Sequence, residues 1–286
     1  MTEIEPVVED GIEYWNTQPA NYDGVLGGFG TGSLPRIDAL DSRLFLLNIY
    51  PELSTVPSSL QPLKADERLD RRTRALDVGA GVGRVTADVL LPLVSDVVLL
   101  EPVDAFVNEA LARARGTSMS SDDNVNEKNS VWQGLADQTK SVTILQGTLQ
   151  EFDPSYPHRV NFLDRIGHQP ARPLDDIKAG YDVIWCQWCM CYLSDVDLVA
   201  FLRRSHAALR RDGRKDRSLI VVKENLCSDN EDGTGRMVFD GQDSSVTRSD
   251  MAWKELFKLA GLKIVKEQVQ YGFPEALYKV KMFGLR

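Results

Sequence analysis

The segment Ala75-Leu76-Asp77-Val78-Gly79-Ala80-Gly81-Val82-Gly83-Arg84 constrains the fold of this chain more than any other. An apolar run enters three alternate glycines and leaves them on a helical pattern. Residues 75–78 read as a buried strand, and 82–93 as the helix that follows. Glycines at 79, 81 and 83 let the backbone approach a ligand and take dihedrals closed to other residues. A second apolar run, 96–100, ends on Glu101, and a carboxylate there can accept two hydrogen bonds from a ribose diol. Strand, glycine turn, helix, strand and terminal acid in register predict a nucleotide-type site at the carboxyl end of a parallel sheet.

The rest of the chain supports that sheet. Further strands are expected at 142–146, 181–186 and 219–223, with helices at 104–115 and 195–209 between them. Apolar strands alternating with helices imply an α/β fold whose sheet is covered on both faces. Before the glycine turn, residues 38–49 read as a helix with Asp38 as its cap. Pro51 ends it, and 54–70 reads as a connecting loop. After 219–223 come a helix at 250–260, closed by Gly261, and a strand pair at 263–270 and 277–283. Two stretches break the alternation. Residues 117–140 are rich in Ser, Asp and Asn, and 153–180 carry Pro154, Pro157, Pro170 and Pro173. Neither composition supports a packed element, so both are expected to be surface insertions. Residues 224–243 hold six acids against Arg236, and a hairpin tip is expected at 229–235. The expected organisation is one domain, 1–286. Residues 1–50 form an N-terminal extension, and 224–246 a hairpin.

Charge narrows the partners. With 33 basic and 42 acidic residues the chain carries −9, a poor match for nucleic acid or an anionic membrane and a reasonable one for a cationic ligand. Four cysteines in 286 residues make no disulfide framework. The N-terminus MTEIEPVVED has neither the positive n-region nor the apolar h-region of a signal peptide. The longest apolar stretch, 89–100, is interrupted and too short to span a bilayer. The expectation is a monomer in the cytoplasm, with the nucleus as a second location.

The spacing of the turn selects among nucleotides. Dinucleotide sites read G-x-G-x-x-G, whereas this turn reads G-x-G-x-G with Arg84 in the sixth place. A cation at the first helical turn suits a ligand carboxylate. S-adenosylmethionine (AdoMet) has an amino-acid end and no phosphate, so the pattern favours a methyl donor over NAD. Downstream, Trp185-Cys186-Gln187-Trp188-Cys189-Met190-Cys191-Tyr192 follows the fourth strand. The C-x-x-C spacing raises zinc and redox chemistry. A structural zinc needs four ligands, which this run does not supply, so no metal is expected and the cysteines read as buried filler. Gln187 and Trp188, at the carboxyl end of a parallel strand, are expected to line the ligand crevice.

These residues resemble the protein N-terminal methyltransferases, which modify the α-amino group of Xaa-Pro-Lys/Arg N-termini. The resemblance runs from Tyr14-Trp15 and Asp23-Gly24-Val25-Leu26-Gly27-Gly28 through the glycine turn and Leu149-Gln150-Glu151-Phe152. It continues over Ile184-Trp185-Cys186-Gln187-Trp188, Lys223-Glu224-Asn225 and 240–248 (DGQDSSVTR) to the close at Phe283-Gly284-Leu285-Arg286. It implies a Rossmann-like class I AdoMet-dependent methyltransferase: a mostly parallel seven-stranded sheet with an N-terminal helical extension and an inserted β-hairpin. The substrates implied are proteins exposing Xaa-Pro-Lys/Arg after Met removal, ribosomal proteins among them. By resemblance, Gly79, Gly81, Arg84, Glu101, Leu149, Gln150 and Gln187 hold AdoMet, with Arg84 on its carboxylate and Glu101 on its ribose. Trp15, Leu26, Trp188, Asn225, Asp240, Asp243, Ser245 and Tyr278 form the peptide site. Asp243 faces the amine, Trp188 the proline ring, and Asp240 the third-position cation. Asp243, Asn225 and Tyr192 are the candidate catalytic groups. Two positions depart from the family: Glu101 stands for its usual aspartate, and Tyr192 for a histidine. A phenol with a pKa of about 10 is a poor base at neutral pH, which leaves Asp243 as the main candidate. Two other readings are methylation of a small molecule or a lysine side chain, and a non-catalytic peptide-binding module.

Overall fold

The computed structural model describes residues 5–56, 69–119, 131–172, 179–211 and 217–286. Its centre is the strand β1 (Arg74–Val78), buried along its whole length between β2 (Asp96–Glu101) and β5 (Val183–Gln187), to both of which it runs parallel. From β2 the sheet continues to β3 (Ser141–Gln146), and from β5 to β6 (Leu219–Cys227), again in parallel. Antiparallel β10 (Lys279–Leu285) and β9 (Ile264–Val269) finish that side. These seven strands are the core expected from the sequence.

Neighbouring residues of the strands feed opposite faces, which is why the strands read as unbroken apolar runs. Val97 and Leu99 join one core cluster, with Phe45 and Leu46 of α3 (Leu34–Ile49) and Val107 and Ala110 of α4 (Asp104–Met119). Val98 and Leu100 join the other, with Phe201 of α5 (Asp195–Ala207) and Trp253 and Phe257 of α6 (Asp250–Leu259). The last two helices start on serine caps: Ser194 accepts from Asp197 N and Ser249 from Ala252 N.

Four expectations need correction. First, 153–180 is not free of packed structure. Asn161–Gly167 forms β4, antiparallel to β3, and extends the sheet at that edge. Second, 117–140 is anchored at its end: Trp132 and Leu135 are fully buried. Trp132 packs on the glycine turn so closely that a Cβ on Gly83 would stand 2.5 Å from its ring. Parts of these insertions and of the 54–70 loop, namely 57–68, 120–130 and 173–178, lie outside the described residues. Third, the hairpin is displaced from 224–246. β7 (Met237–Asp240) pairs with β8 (Ser245–Ser249), so the tip is 241–244. β6 cannot be a hairpin arm because β5 and β10 hold its two edges, and β8 joins it in parallel only at Leu226 and Cys227. Fourth, Asp38 does not cap a helix. α3 starts at Leu34 with a proline in its first turn, where a missing N–H costs nothing. Asp38 is therefore interior and fully buried.

Two short helices precede α3: α1 (Val8–Asn16) and α2 (Tyr22–Val25). α1 lies across the carboxyl ends of the strands. Its entry is tied to the hairpin tip, where Val7 N donates to Ser244 Oγ at 2.9 Å. Among the described residues, no helix is long and apolar enough to cross a membrane.

Candidate active site

Two cavities adjoin above the carboxyl ends of the parallel strands. The first is open to solvent on one side, and all seven residues expected at the cofactor line it: Gly79, Gly81, Arg84, Glu101, Leu149, Gln150 and Gln187. The turn after β1 brings the glycines there with φ of +60° at Gly79 and +56° at Gly81, a region that favours glycine. A side chain at Gly79 is excluded as well, since its Cβ would stand 2.4 Å from Cys189 Cβ. Glu101 Oε2 accepts from Gly81 N at 2.7 Å and Oε1 from Val103 N at 2.9 Å. Burial pushes the Glu101 carboxyl up to about 7, against those two hydrogen bonds. Asp77, beneath the turn, accepts from Thr86 Oγ1 at 2.6 Å and is likewise raised by burial to about 7.

Arg84 is buried in the same wall and donates through Nη1 to Asp38 Oδ2 at 2.6 Å. Asp38 also takes Gln187 Nε2 at 3.0 Å and Lys223 Nζ at 2.5 Å. Burial alone would raise the Asp38 carboxyl, but Arg84 and Lys223 outweigh it and hold it at about 2. An arginine has five N–H donors, and the bond to Asp38 uses one of them. The donor set fits AdoMet: a carboxylate for the ribose diol, a side-chain-free turn, a guanidinium for a carboxylate, and apolar walls at Leu149, Val103 and Phe106.

The second cavity, also open to solvent, is lined by Trp15, Leu26, Trp188, Tyr192, Asn225, Asp243, Ser245 and Tyr278. Trp15, Val25, Trp188 and Tyr192 border both cavities. At that border Tyr192 Oη donates to Asp243 Oδ2 at 2.9 Å. Trp15 of α1 meets the Tyr192 ring edge-on at 6.4 Å, and Gly11 passes so close that a Cβ there would stand 3.2 Å from Tyr192 Cδ1. Trp188 has a φ of +54°, rare for a bulky residue. Its buried indole N–H has no partner among the described residues, and its ring tilts against Phe273 at 6.4 Å. Strain and an unpaired donor at one residue are typical of a ligand clamp.

Asp240 is the one candidate that lines neither cavity. It is exposed at the end of β7, where Oδ1 accepts from Gln242 N at 2.9 Å. Cys186 and Cys189 are buried, and burial pushes both thiols well above their ordinary value. Cys191, in the second cavity wall, is raised in the same way. Three site residues escaped the sequence reading. Phe273 sits on a loop without periodicity. Glu224, in the second cavity wall, accepts from Cys189 N at 3.0 Å and Met190 N at 2.9 Å. Asp38 had a signal, because 38, 42, 45 and 49 are helically spaced and all buried.

Known proteins match this chain over nearly its whole length. A family model described as AdoMet dependent proline di-methyltransferase covers residues 3–286. Alpha N-terminal protein methyltransferase 1 of Schizosaccharomyces pombe is 34% identical over 281 residues, which span 98% of this chain and 96% of that protein. N-terminal Xaa-Pro-Lys N-methyltransferase 1-B of Xenopus laevis is 30% identical, over 96% of this chain and 92% of its own. Among solved structures, a SAM-dependent methyltransferase of Leishmania major superposes with a TM-score of 0.64 at 28% identity, covering 98% of this chain and 82% of its own. With the glycine turn, the acid on β2 and Trp188 all inside the matched residues 3–286, the chain belongs to the AdoMet-dependent proline dimethyltransferase family.

Proposed function

We propose that this protein transfers methyl groups from AdoMet to the α-amino group of proteins beginning Xaa-Pro-Lys or Xaa-Pro-Arg. The names of the Schizosaccharomyces and Xenopus relatives support the reaction, and the shared border of the two cavities supports the site. One observation carries the reading: the Tyr192–Asp243 hydrogen bond lies on that border, beside the strained Trp188. AdoMet, when bound, supplies a sulfonium methyl group open to in-line attack by a nitrogen lone pair.

The residues prepare that nitrogen. An α-amino group titrates at about 7.7–8.0, so much of it is protonated at neutral pH and must lose its proton. Asp243 is the acceptor in this proposal. Tyr192 orients it, and its phenol stays protonated because burial, with Cys191 and Asp243 adding, pushes it well above its ordinary value. Asn225 and Ser245 hydrogen-bond the peptide, Trp188 packs on the proline ring, and Trp15, Leu26 and Tyr278 close the walls. Asp240 meets the third-position cation outside both cavities. Gly79, Gly81, Leu149 and Gln150 shape the cofactor wall, Glu101 takes the ribose, and Arg84 with Gln187 takes the amino-acid end. Orientation of this kind supplies several kcal/mol of a barrier.

Residues 1–286 act as one catalytic unit in this proposal, with 1–50 and the β7–β8 hairpin contributing to the peptide site. The net charge of −9 fits basic protein N-termini better than nucleic acid. The protein is assigned as a cytoplasmic monomer. A mass-shift assay on short Ser-Pro-Lys and Ala-Pro-Lys peptides tests the reaction. Methylated product is expected, and none from the N-acetylated peptides, whose nucleophile is removed. Turnover of the acetylated peptide with methyl on lysine would overturn the reading.

A further inference from the structure

Asp38 lies in the second turn of α3, far in sequence from the glycine turn and β5, yet its fully buried carboxylate accepts from three side chains. Arg84 reaches Oδ2 at 2.6 Å, Lys223 reaches Oδ1 at 2.5 Å, and Gln187 Nε2 stands 3.0 Å from each oxygen. Arg84 and Gln187 line the cofactor cavity from two different elements, the helix after the glycine turn and the end of β5. Lys223 is not in that wall. Its ammonium also donates to Ser42 Oγ at 3.0 Å and Gln270 Oε1 at 2.8 Å, and Gln270 in turn donates to Asp41 Oδ2 at 2.6 Å. One carboxylate thus sets the direction of two cavity side chains and is itself braced from the opposite side.

The physical need is clear. A free arginine side chain samples many rotamers, and its planar fork serves a ligand carboxylate well only when already aimed. A buried guanidinium also requires an anion at hand. Asp38 meets both requirements, and the Gln187 amide is held in the same way. We propose that Asp38 is a positioning residue of the cofactor site: it holds Arg84 and Gln187 in the directions that receive the amino-acid end of AdoMet. Cofactor affinity thereby depends on α3. This rests on the AdoMet reading of the first cavity.

The test compares two ligands on the full chain by calorimetry. S-adenosylhomocysteine carries the amino-acid end, and 5′-methylthioadenosine lacks it while keeping the ribose and adenine. In Asp38→Asn, affinity for S-adenosylhomocysteine should fall on the order of ten- to hundredfold, the effect of a lost hydrogen bond to a charged group. Affinity for 5′-methylthioadenosine should stay within about twofold, as for distant, independent sites. In turnover, KM for AdoMet should rise more than kcat falls. Because Asp38→Asn leaves two cations around a neutral amide, it is paired with Asp38→Asn/Lys223→Met, which removes one of them and should show the same contrast. An equal loss for both ligands would reduce Asp38 to a structural role and overturn the proposal, as would no loss for either. Loss of cooperative melting in both variants would assign Asp38 to stability and also overturn it. Failure of the wild type to bind S-adenosylhomocysteine is a separate outcome: it removes the cofactor reading itself, and this proposal with it.

Discussion

Tyr192 and Asp243 share a hydrogen bond but differ in what they can do with a proton. The phenol is held protonated by burial and by the neighbouring Cys191 and Asp243, so it donates throughout the neutral range. Asp243→Asn keeps the shape and one acceptor but cannot take a proton. It should lower kcat by about 10²–10⁴, a usual general-base contribution, with little change in S-adenosylhomocysteine affinity. Tyr192→Phe should cost less, near the about 0.5–1.5 kcal/mol of one hydrogen bond. Single-turnover rates with the order reversed would move the base to Tyr192. Glu101 allows a different measurement. Its carboxyl, raised by burial to about 7, must be ionised to accept from both ribose hydroxyls. Affinity for S-adenosylhomocysteine should therefore climb between about pH 6 and pH 8, with a proton released on binding. Glu101→Gln should bind more weakly at the upper end and lose most of that slope. An equal slope in wild type and variant would place the titrating group elsewhere. At this scale the glycines, Arg84, Glu101, Gln187 and Trp188 were legible because each stands at a fixed offset from a strand end. Phe273 was not, and of Asp38 only its place on a buried helix face was, because their partners are remote in sequence.

Local composition misled most at the level of elements. Serines, acids and asparagines over 117–140 argue for a solvated insertion, yet Trp132 leaves it to pack under the glycine turn against Gly83. Trp132→Ala should cost about 3–5 kcal/mol, the range for emptying a large aromatic site. The check is a lower urea midpoint at unchanged m-value, with weaker S-adenosylhomocysteine binding as the turn loses its support. A midpoint within error of wild type would return 131–140 to the surface. The prolines of 153–180 do flank rather than interrupt a strand: β4 lies between Pro157 and Pro170. The hairpin was recognisable as a polar, turn-rich segment, but two turns compete there, 229–235 and 241–244. Which one closes antiparallel strands depends on which edges of β6 are already taken.

Buried carboxyls set the acid–base behaviour of the whole molecule. Burial raises Asp77, Glu101 and Glu224 each to about 7, so each binds its proton more tightly folded than unfolded. Their contribution is fully present below the ordinary carboxyl range and is lost as pH rises towards and through 7. Asp38 has the opposite sign. Held at about 2 by Arg84 and Lys223 against its burial, it stabilises above the ordinary aspartate value and loses that contribution as pH falls towards 2. Stability of the ligand-free protein should therefore peak on the acid side of neutrality, read as the urea midpoint across a pH series. Glu224→Gln should flatten the fall above the peak. A midpoint that rises steadily from about pH 5 to pH 8 would contradict these shifts.

The strands of the parallel core, the glycine turn with its acid partner and the methyl-donor reading follow from the sequence, because periodicity and short spacings are local properties of the chain. The extra edge strand β4, the closing hairpin β7–β8 and the Asp38–Arg84–Gln187–Lys223 cluster were decided by the tertiary structure alone. Each depends on which edge, cavity or charge is already occupied by residues far away in the chain, and a buried charge can be placed only once its partners are.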